Sequence, residues 1–573
     1  MVTKNSLEKY ISRIKSFLSK EEYDSALTEL ENAINDYPEI CSLYTNAGNI
    51  YTVKSDYKKA ENYYLQSLSL QESKEAFNNL AYIYIIQGLY DEALKHTINA
   101  LKNDPLYFDA LLNQALIYER KKEFTKSKAE LDKIIHHHPD HPKALLLSFK
   151  IAQETCSWNE VDRLNPKLDY MIGNGEEHPF INISRTINNE KNFKVATSWA
   201  KKNSIILKKI TPNTQINKKI RIAYICGEFR NHPTYHLIKN LFQYHNKEKF
   251  EIYIFSYDHD IEIENEITNK IDKFYNINDL SEFDAINLID SCNIDILIDL
   301  SILIVNNHIN IIKSHPAKKV ISYLGYPGTS GLNCYDYIIT DEIVTPKEFQ
   351  KFYTEKFLYL PNCYQINDGI KNLKDSTAKR SNYNLPKSSK IIASFNQSYK
   401  IDKIMFDCWL SIMKQVPNSV LWLLIEDEIT QNNLCSYMES KDISRKKLIF
   451  ANKISREKHM ERLQLVDLVL DTRIYNGHTT TTDALQSAIP VITLKGEHFA
   501  SRVSASLLHN ANLDELCCKN LDEYKDKAIK ILENEEIRNK YIEKLKSINE
   551  RDKFFNNELF VNQLEEILIS IKL

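Results

Sequence analysis

The stretch from Val466 to Leu494, "VDLVLDTRIYNGHTTTTDALQSAIPVITL", decides the fold class of the chain that contains it. Its ends, "VDLVLDT" and "IPVITL", are short apolar runs rich in Val, Ile and Leu, which predicts buried β-strands. Between them "TTDALQSA" predicts a helix, so "NGHTTT" forms a strand-to-helix turn. Buried strands that alternate with helices predict a parallel sheet covered by helices.

Similar apolar runs lie on both sides of this stretch and form two sets. One set comprises "IRIAYIC", "FEIYIFSY", "IDILIDL", "KVISYLGYPG" and "YDYIITD"; the other comprises "KIIASFNQ", "SVLWLLIE", "KLIFAN", "VDLVLDT" and "IPVITLKG". We therefore expect two α/β lobes, each built on a parallel sheet. Ligands of such sheets bind beyond the carboxyl ends of the strands, so facing loops predict an active cleft between the lobes.

The first 150 residues contain a repeat whose units begin with an aromatic residue. The starting residues are 34, 33 and 34 positions apart: Tyr23, Tyr57, Tyr90 and Phe124. Small residues recur where two helices would cross: Ala26, Ala60, Ala93 and Ser127, with Ala47, Ala81 and Ala115 in the partner helices. The pattern resembles the tetratricopeptide repeat and predicts an α-solenoid. Its concave surface would bind an extended peptide or protein; alternatively, so short an array only packs on the rest of the chain.

The composition of the 573 residues is that of a folded protein, with 43% hydrophobic residues. Its net charge of −3 gives no general reason to expect nucleic-acid binding. We found no apolar stretch long enough for a membrane span and no apolar core of a secretory signal at the N-terminus. Ten cysteines without CxxC spacing fit reduced thiols, so a cytoplasmic location is expected.

The turn "NGHTTTT" predicts an anion site. A helix N-terminus presents unpaired N–H groups and a partial positive charge, threonine hydroxyls add donors, and Gly477 would let the backbone approach a ligand. Lys400 and Gln397, in the loop after an earlier strand of the same lobe, would add a full charge and a neutral donor. The alternative is ordinary capping of the helix by one threonine.

Several motifs closely resemble the catalytic region of the O-linked N-acetylglucosamine transferase family, whose members also carry tetratricopeptide repeats. The matching segments are "GEFRNHPTYHLI", "YLGYPGTSG", "DYIITDEIVTPKEF", "FNQSYKID", "VPNSVLWLL" and "YNGHTTTTDAL". The resemblance implies a GT-B catalytic region of two Rossmann-like lobes. It also implies an inverting, metal-independent transfer of a sugar from a nucleoside diphosphate to Ser or Thr of proteins that the repeats present.

The resemblance further implies roles for individual residues. The residues implied to bind the nucleotide-sugar are Gln397, Lys400, Arg456, His459, Arg462, His478, Thr479, Thr480 and Asp483. Of these, Lys400 also serves catalysis, Asp483 contacts the ribose, and His459 with Arg462 holds the nucleoside. His232 lies beside the attacked sugar carbon, either as the general base or as a ring that only positions substrate. Gly328, Thr329 and Tyr475 line the sugar pocket.

The expected donor is UDP-N-acetylglucosamine, with no cofactor and no metal. Tyr475, however, stands where animal members of the family have a small residue near the acetamido group, and Arg456 stands where the family usually has lysine. Other donors, UDP-glucose or GDP-fucose, therefore remain alternatives, as does a repeat adaptor with inactive lobes. The expected partners are protein acceptors, without nucleic acid or a membrane span; homo-oligomerisation is left open.

These inferences divide the chain into four regions. Residues 1–150 form the solenoid and residues 151–218 a helical connector. Residues 219–380 form the N-terminal catalytic lobe and residues 381–573 the C-terminal, nucleotide-sugar-binding lobe.

Overall fold

The computed structural model describes residues 4–20, 22–211, 217–304, 307–369, 377–548 and 552–571. It divides into two compact units, the first comprising residues 1–151 with 280–288 and the second comprising residues 152–279 with 289–573. Parts of the predicted connector (212–216) and of the predicted junction between the lobes (370–376) lie outside the described residues. The four region boundaries inferred from the sequence stay predictions.

The first unit is built from antiparallel pairs of helices. Its helices are α1 (Lys4–Ser19), α2 (Tyr23–Asp36), α3 (Cys41–Val53), α4 (Tyr57–Leu70), α5 (Lys74–Ile86), α6 (Tyr90–Asn103), α7 (Phe108–Arg120), α8 (Phe124–His137) and α9 (Pro142–Glu154). The most extensive contacts join α3 to α4, α5 to α6, and α7 to α8. These pairs are the predicted repeat units.

The small residues of the repeat lie where paired helices cross. Ala47, Ala81 and Ala115 are fully buried, as are their counterparts in the partner helices. Where serine replaces alanine, at Ser127, its hydroxyl donates to the carbonyl of Ala115 at 2.6 Å, so the buried polar group is paired. The predicted helical repeat is confirmed.

The second unit begins with three helices and a seven-stranded parallel sheet. The strands are β1 (Ile220–Cys226), β2 (Phe250–Ser256), β3 (Lys273–Asn276), β4 (Ile296–Asp299), β5 (Lys319–Ser322), β6 (Tyr337–Thr340) and β7 (Lys356–Tyr359), in the order β3-β2-β1-β4-β5-β6-β7. The helices are α10 (Trp158–Tyr170), α11 (Pro179–Arg185), α12 (Asn189–Lys202), α13 (Pro233–Ile238), α14 (Ile261–Thr268) and α16 (Ile309–Lys313). Residues 282–288 of the intervening helix α15 (Glu282–Ser291) belong to the first unit.

A second parallel sheet of six strands follows. Its strands are β8 (Lys390–Ser394), β9 (Ser419–Leu424), β10 (Leu448–Ala451), β11 (Leu468–Leu470), β12 (Val491–Leu494) and β13 (Cys517–Cys518), in the order β10-β9-β8-β11-β12-β13. Its helices are α17 (Lys403–Gln415), α18 (Glu428–Glu439), α19 (Arg456–Leu463), α20 (Thr479–Gln486), α21 (Val503–Asn510), α22 (Leu521–Glu533), α23 (Glu535–Ser547) and α24 (Asn557–Ile569).

Each sheet has one point where the strand order reverses. In the first sheet it lies between β1 and β4, and in the second between β8 and β11. The loops that follow these strands diverge there and leave a crevice, which is where open α/β sheets bind ligands. The loop that carries Lys400 follows β8, and the turn that carries Gly477 follows β11.

The strands that the apolar pattern did not predict lie at sheet edges. They are β3, β7 and β13, none longer than four residues. Most residues of β3 and β7 are partly exposed, so their sequences lack the continuous apolar run of a central strand. No helix among the described residues is long and apolar enough to cross a membrane.

Candidate functional site

The loops after β8 and β11 meet through Lys400. Its Nζ donates to the carbonyl of Asn476 at 2.9 Å, in the turn that precedes α20. The same Nζ lies 4.1 Å from the centroid of the Tyr475 ring. The cation and the helix start that the sequence predicted as one anion site are therefore neighbours.

The N-terminus of α20 keeps its backbone donors available. The first intrahelical hydrogen bond is donated by Thr482 N to the carbonyl of His478 at 3.1 Å. The N–H groups of Thr479, Thr480 and Thr481 precede that bond, so none of them has an intrahelical acceptor. The side chain of His478, at the N-cap position, makes no capping hydrogen bond.

The side chains of the four threonines, Thr479 to Thr482, differ in their hydrogen-bond partners and in their burial. Thr480 donates to Asn396 at 2.8 Å, and the hydroxyls of Thr481 and Ser504 are 2.8 Å apart. Thr482 accepts a 2.7 Å hydrogen bond from Gln365. Thr481 and Thr482 are buried, whereas Thr479 and Thr480 are partly exposed. The hydroxyls of Thr480, Thr481 and Thr482 therefore help to anchor the helix to its surroundings, and the binding roles of Thr479 and Thr480 stay predictions.

Gly477 is required by the helix itself. A β-carbon at this position would lie 2.5 Å from Oγ1 of Thr481 and 2.6 Å from Oγ1 of Thr480, too close for either atom. The packing of the turn alone therefore explains the glycine, and the approach of its backbone to a ligand stays a prediction. Its N–H donates to Asp471 at 2.6 Å, which holds the turn against the end of β11.

Burial controls the charge of Lys400. Removal from water lowers its pKa to about 8, although the carboxylate of Asp471 opposes that change. Asp471 is itself fully buried and also accepts from Thr493 at 2.6 Å. Near neutral pH the side chain of Lys400 is therefore mostly in its charged ammonium form, and few protein groups neutralise that charge.

His478 lies beside this ammonium as a neutral imidazole. Burial first, and the charge of Lys400 second, lower the pKa of His478 well below its ordinary value. Its Nε2 is buried and has no hydrogen-bond partner among the described residues. An unpaired polar atom of this kind is costly unless a ligand or water pairs with it, which supports a binding role.

Gln397 precedes Lys400 at the surface of the same loop. Its side chain is exposed and makes no capping hydrogen bond to the short helical turn Ser398–Lys400. The role of Gln397 in binding a diphosphate stays a prediction.

His459 and Arg462 are hydrogen-bonded to each other on α19. Arg462 Nε donates to His459 Nδ1 at 3.0 Å, so the proton of the neutral ring lies on Nε2. Burial, then the charges of Arg462 and Arg456, lower the pKa of His459 to about 3. Arg462 is 2% exposed, and its guanidinium carbon lies 4.8 Å from the centroid of the Phe395 ring. Arg462 is therefore held in place and in turn orients the His459 ring.

Arg456 and Asp483 are already paired with each other. Arg456 Nη2 donates to Asp483 at 2.7 Å and to Asp368 at 3.3 Å, and it also reaches Gln486 at 3.3 Å. Asp483 is 6% exposed. The carboxylate that the resemblance assigns to a ribose is therefore held in place by the residue that replaces the family's lysine.

His232 lies in the loop after β1, at the start of α13. Its Nδ1 is 3.1 Å from a carboxylate oxygen of Glu228 and 3.3 Å from the Thr234 N–H. Burial first, then the charges of Arg230, His236 and Lys453, lower its pKa to about 4, so the ring is neutral near pH 7.

The residues that the resemblance assigns to a sugar pocket belong to two buried clusters. Thr329 donates to the fully buried Glu355 at 2.7 Å, which fixes the loop that carries Gly328. Gly328 and Thr329 line a small cavity that Tyr326 also contacts. The Tyr475 ring lies 6.0 Å from both Phe180 and Tyr399. Phe180 lies in α11 and forms, with Tyr399 and Tyr475, a cluster of aromatic rings beside Lys400.

Sequence reasoning missed the residues that hold these groups in place. They are Phe180, Glu228, Glu355, Asn396 and Asp471. Three of them, Glu228, Asn396 and Asp471, lie within predicted strands or motifs, so their position was a usable signal. Phe180 and Glu355 had no such signal, because their contacts are made across the tertiary structure.

The chain matches known families in two regions. The model described as "Glycosyl transferase family 41" matches residues 200–379 and 374–564. Tetratricopeptide-repeat models match residues 42–74 and 78–142.

Among curated proteins, the chain is similar to "Probable UDP-N-acetylglucosamine--peptide N-acetylglucosaminyltransferase SEC" of Arabidopsis thaliana. The two are 35% identical over 325 residues, which cover 55% of this chain and 33% of the relative. A Caenorhabditis elegans "UDP-N-acetylglucosamine--peptide N-acetylglucosaminyltransferase" is 23% identical over 514 residues, which cover 66% of this chain and 44% of that protein. The matches thus span between a third and less than half of these relatives' length.

One solved structure resembles the fold along the whole chain. It is that of an O-GlcNAc transferase mutant from Thermobaculum terrenum, and it matches with a TM-score of 0.61 at 19% identity. The match covers 99% of this chain and 98% of that one, which confirms the predicted order of a helical repeat followed by two α/β lobes.

Proposed function

The chain belongs to glycosyl transferase family 41, and from this we propose that it is a protein O-glycosyltransferase that moves a sugar from a UDP-sugar to Ser or Thr hydroxyls. The observation that carries the proposal is the contact of Lys400 with the turn that opens α20. This contact puts an ammonium group next to three backbone N–H groups without intrahelical acceptors. Such a site suits a diphosphate.

The anion site would act mainly in the transition state. The diphosphate gains negative charge as its bond to the sugar breaks, so fixed positive groups stabilise the transition state more than the bound substrate. Lys400 and the N-terminus of α20 supply that charge, with Thr479 and Gln397 as further donors. This arrangement supports a transfer that needs no metal ion.

The transfer would be a single displacement. The acceptor hydroxyl loses its proton to His232 while its oxygen attacks the anomeric carbon from the face opposite the diphosphate. The bond between that carbon and the phosphate oxygen breaks, and UDP leaves with the electron pair. Attack from the opposite face inverts the anomeric carbon. A neutral His232 with a pKa of about 4 is able to accept a proton at pH 7.

UDP-N-acetylglucosamine is the leading donor, since the relatives are named for it. The names support the donor class but come from proteins that this chain covers only in part. The N–H on Nε2 of His459 suits a carbonyl of the nucleobase, and Asp483 suits a ribose hydroxyl. To bind a ribose hydroxyl, Asp483 would either give up its hydrogen bond with Arg456 or keep it while also contacting the ribose.

Tyr475 favours a second candidate, a donor sugar without an acetamido group. Its ring is 5% exposed and lies against Lys400, Phe180 and Tyr399, so the space next to the diphosphate site is filled by aromatic side chains. UDP-glucose and GDP-fucose are the donors to compare. If Tyr475 fills the space of the acetamido group, the Tyr475→Ala variant should be more active than the wild type with UDP-N-acetylglucosamine and less active with UDP-glucose.

Protein acceptors are proposed because the repeats form a helical array of the kind that binds extended peptides. Coexpression with candidate acceptors and intact-mass measurement tests both acceptor and sugar, because the mass increment identifies the sugar. Lys400→Met should abolish the increment. Lys403→Met is the matched control, since Lys403 is 40% exposed and pairs with Asp162 outside the anion site.

The adaptor alternative makes the opposite prediction for the same pair of variants. An adaptor would leave every acceptor at its unmodified mass in the wild type, and Lys400→Met would change no biological output. Absence of UDP binding in the wild type would refute the glycosyltransferase proposal.

A further inference from the structure

His232 faces two hydrogen-bonding groups through the same ring nitrogen. Nδ1 lies 3.1 Å from Oε2 of Glu228 and 3.3 Å from the backbone nitrogen of Thr234. A neutral imidazole carries a proton on only one of its nitrogens. The Thr234 N–H requires a lone pair on Nδ1, whereas the Glu228 carboxylate requires a proton there. The two hydrogen bonds therefore belong to two different tautomers.

Only one of these tautomers leaves Nε2 able to act as a base. When Nδ1 bonds to Thr234 as an acceptor, Nε2 already carries the proton of the neutral ring and has no lone pair to accept another. When Nδ1 carries the proton, Nε2 has a lone pair. The partner of Nδ1 thus decides whether His232 can receive a hydroxyl proton at Nε2.

The geometry around Glu228 favours the basic tautomer. Its carboxylate is the nearer partner, and a hydrogen bond to an ionised acceptor is roughly twice as strong as one between neutral groups. Arg230 Nη2 lies 3.4 Å from the same oxygen and favours the ionised carboxylate, although burial raises the pKa of Glu228. The contact with Thr234 is at the long end of hydrogen-bond distances.

We propose that Glu228 is a positioning residue that holds the proton of His232 on Nδ1 and so leaves Nε2 able to accept the hydroxyl proton of the acceptor. This inference rests on the proposed function, in which His232 is the base. As the hydroxyl proton moves to Nε2, the ring becomes a cation, and the carboxylate of Glu228 stabilises that charge. The proton then leaves Nε2 for solvent and restores the starting tautomer.

Glu228→Gln tests the proposal with little change of shape. The carboxamide NH₂ can donate to Nδ1, which places the ring proton on Nε2. We expect kcat to fall about 100-fold or more, by the logic of replacing the carboxylate of a catalytic triad with an amide. The KM for the sugar nucleotide should change little, because Glu228 does not contact the anion site. An unchanged kcat overturns the proposal.

Glu264→Gln is the matched control. Glu264 pairs with Nε2 of another histidine on the same lobe, His259, at 2.9 Å. The substitution removes the same charge from a similar pair, and we expect kcat to stay within about a factor of two of the wild type. An equal fall in both variants would show that loss of a carboxylate, and not the tautomer of His232, is responsible, and would overturn the proposal.

Nitrogen-15 NMR of labelled histidine reports the tautomer without any turnover. We expect the His232 signal, assigned with His232→Asn, to show the proton on Nδ1 in the wild type and on Nε2 in Glu228→Gln. If Glu228→Gln does not fold, Glu228→Ala serves, because Thr234 then becomes the remaining partner of Nδ1. A proton on Nε2 in the wild type overturns the proposal. A tautomer shift without sugar transfer in the wild type refutes the proposed function alone.

Discussion

At the scale of single residues, the chain uses burial to set the charge of its reactive groups. Lys400, His232, His459 and His478 all have pKa values lowered chiefly by removal from water. The three histidines are thereby neutral at pH 7, while Lys400 remains mostly protonated because its pKa of about 8 is still above that pH. Burial of these groups leaves the lysine as the main positive side chain at the anion site.

We expect Lys400 to make the proposed binding of UDP dependent on pH. Below its pKa of about 8 the side chain is charged, and as the pH rises through that value the ammonium loses its proton. An anion binds the charged form better, so UDP affinity should fall above pH 8, and binding at pH 8 should take up about half a proton. Calorimetry in buffers of different ionisation enthalpy measures this uptake.

Lys400→Met provides the control for that measurement, because it removes the titrating group and keeps most of the length of the side chain. The uptake should disappear together with most of the affinity. Equal proton uptake in the wild type and the variant would assign it to another group.

At the scale of elements, α20 combines the proposed anion site with hydrogen bonds that anchor the helix. Its first amides are left without intrahelical acceptors, while Thr481 and Thr482 attach the helix to Ser504 and Gln365. One run of four identical residues thus attaches the helix and also carries the proposed anion site. A helix end binds a diphosphate well only if it is held rigidly.

Gly477→Ala should disrupt this helix start. The new methyl group would meet two threonine hydroxyls at 2.5 and 2.6 Å, and overpacking of this kind costs about 1–3 kcal/mol. We expect a lower thermal unfolding temperature and weaker UDP binding, because Thr480 and Thr481 must move.

Ala484→Gly is the control in the same helix. It should destabilise the chain by about 1 kcal/mol through the lower helix propensity of glycine. Ala484 lies in the second half of α20, so UDP affinity of the folded variant should remain near that of the wild type. Wild-type stability and UDP affinity in Gly477→Ala would contradict the close packing seen around Gly477.

At the scale of the whole catalytic unit, side chains from both lobes meet at a few buried polar contacts. Asp368, at the end of the first lobe, bonds to Gln486 of α20 at 2.8 Å and pairs with Arg456 of α19. The C-terminal helix α24 contacts the first lobe, where Glu565 accepts from the backbone N–H of Asn246 at 2.8 Å. These contacts join the lobe that carries His232 to the one that carries Lys400.

Arg456 should therefore matter for stability as well as for binding. Arg456→Ala leaves the carboxylate of Asp483 buried without this partner, and loss of one member of a buried pair costs about 3–5 kcal/mol. Arg456→Lys should keep most of that stability, because a single nitrogen, Nη2, makes all three contacts. Denaturation followed by tryptophan fluorescence measures the effect.

The tryptophan fluorescence reports on the unit in which Arg456 lies. All four tryptophans, at positions 158, 199, 409 and 422, lie in the unit that contains both lobes. An Arg456→Ala variant as stable as Arg456→Lys would mean that the Asp483 carboxylate is satisfied by other groups.

Much of the architecture could be predicted from the sequence because helices and buried strands have local signatures. The period of 33 or 34 residues predicted the repeat, and continuous apolar runs predicted every central strand of both sheets. The edge strands β3 and β7 were not predicted because partly exposed strands have no such apolar run. Lys400 and α20 are neighbours in the structure because β8 and β11 are adjacent parallel strands, so the loops that follow them begin side by side.

The sequence by itself determined which segments become helices or strands and which loops carry donors, since both depend on residues close together in the chain. Only the tertiary structure decided what those donors contact. Lys400 bonds to Asn476, Arg456 to Asp368, and Phe180 reaches Tyr475, each across a long sequence separation. Hydrogen bonds and burial act over a few ångströms in space, so the charge of each reactive group is set by neighbours that folding alone provides.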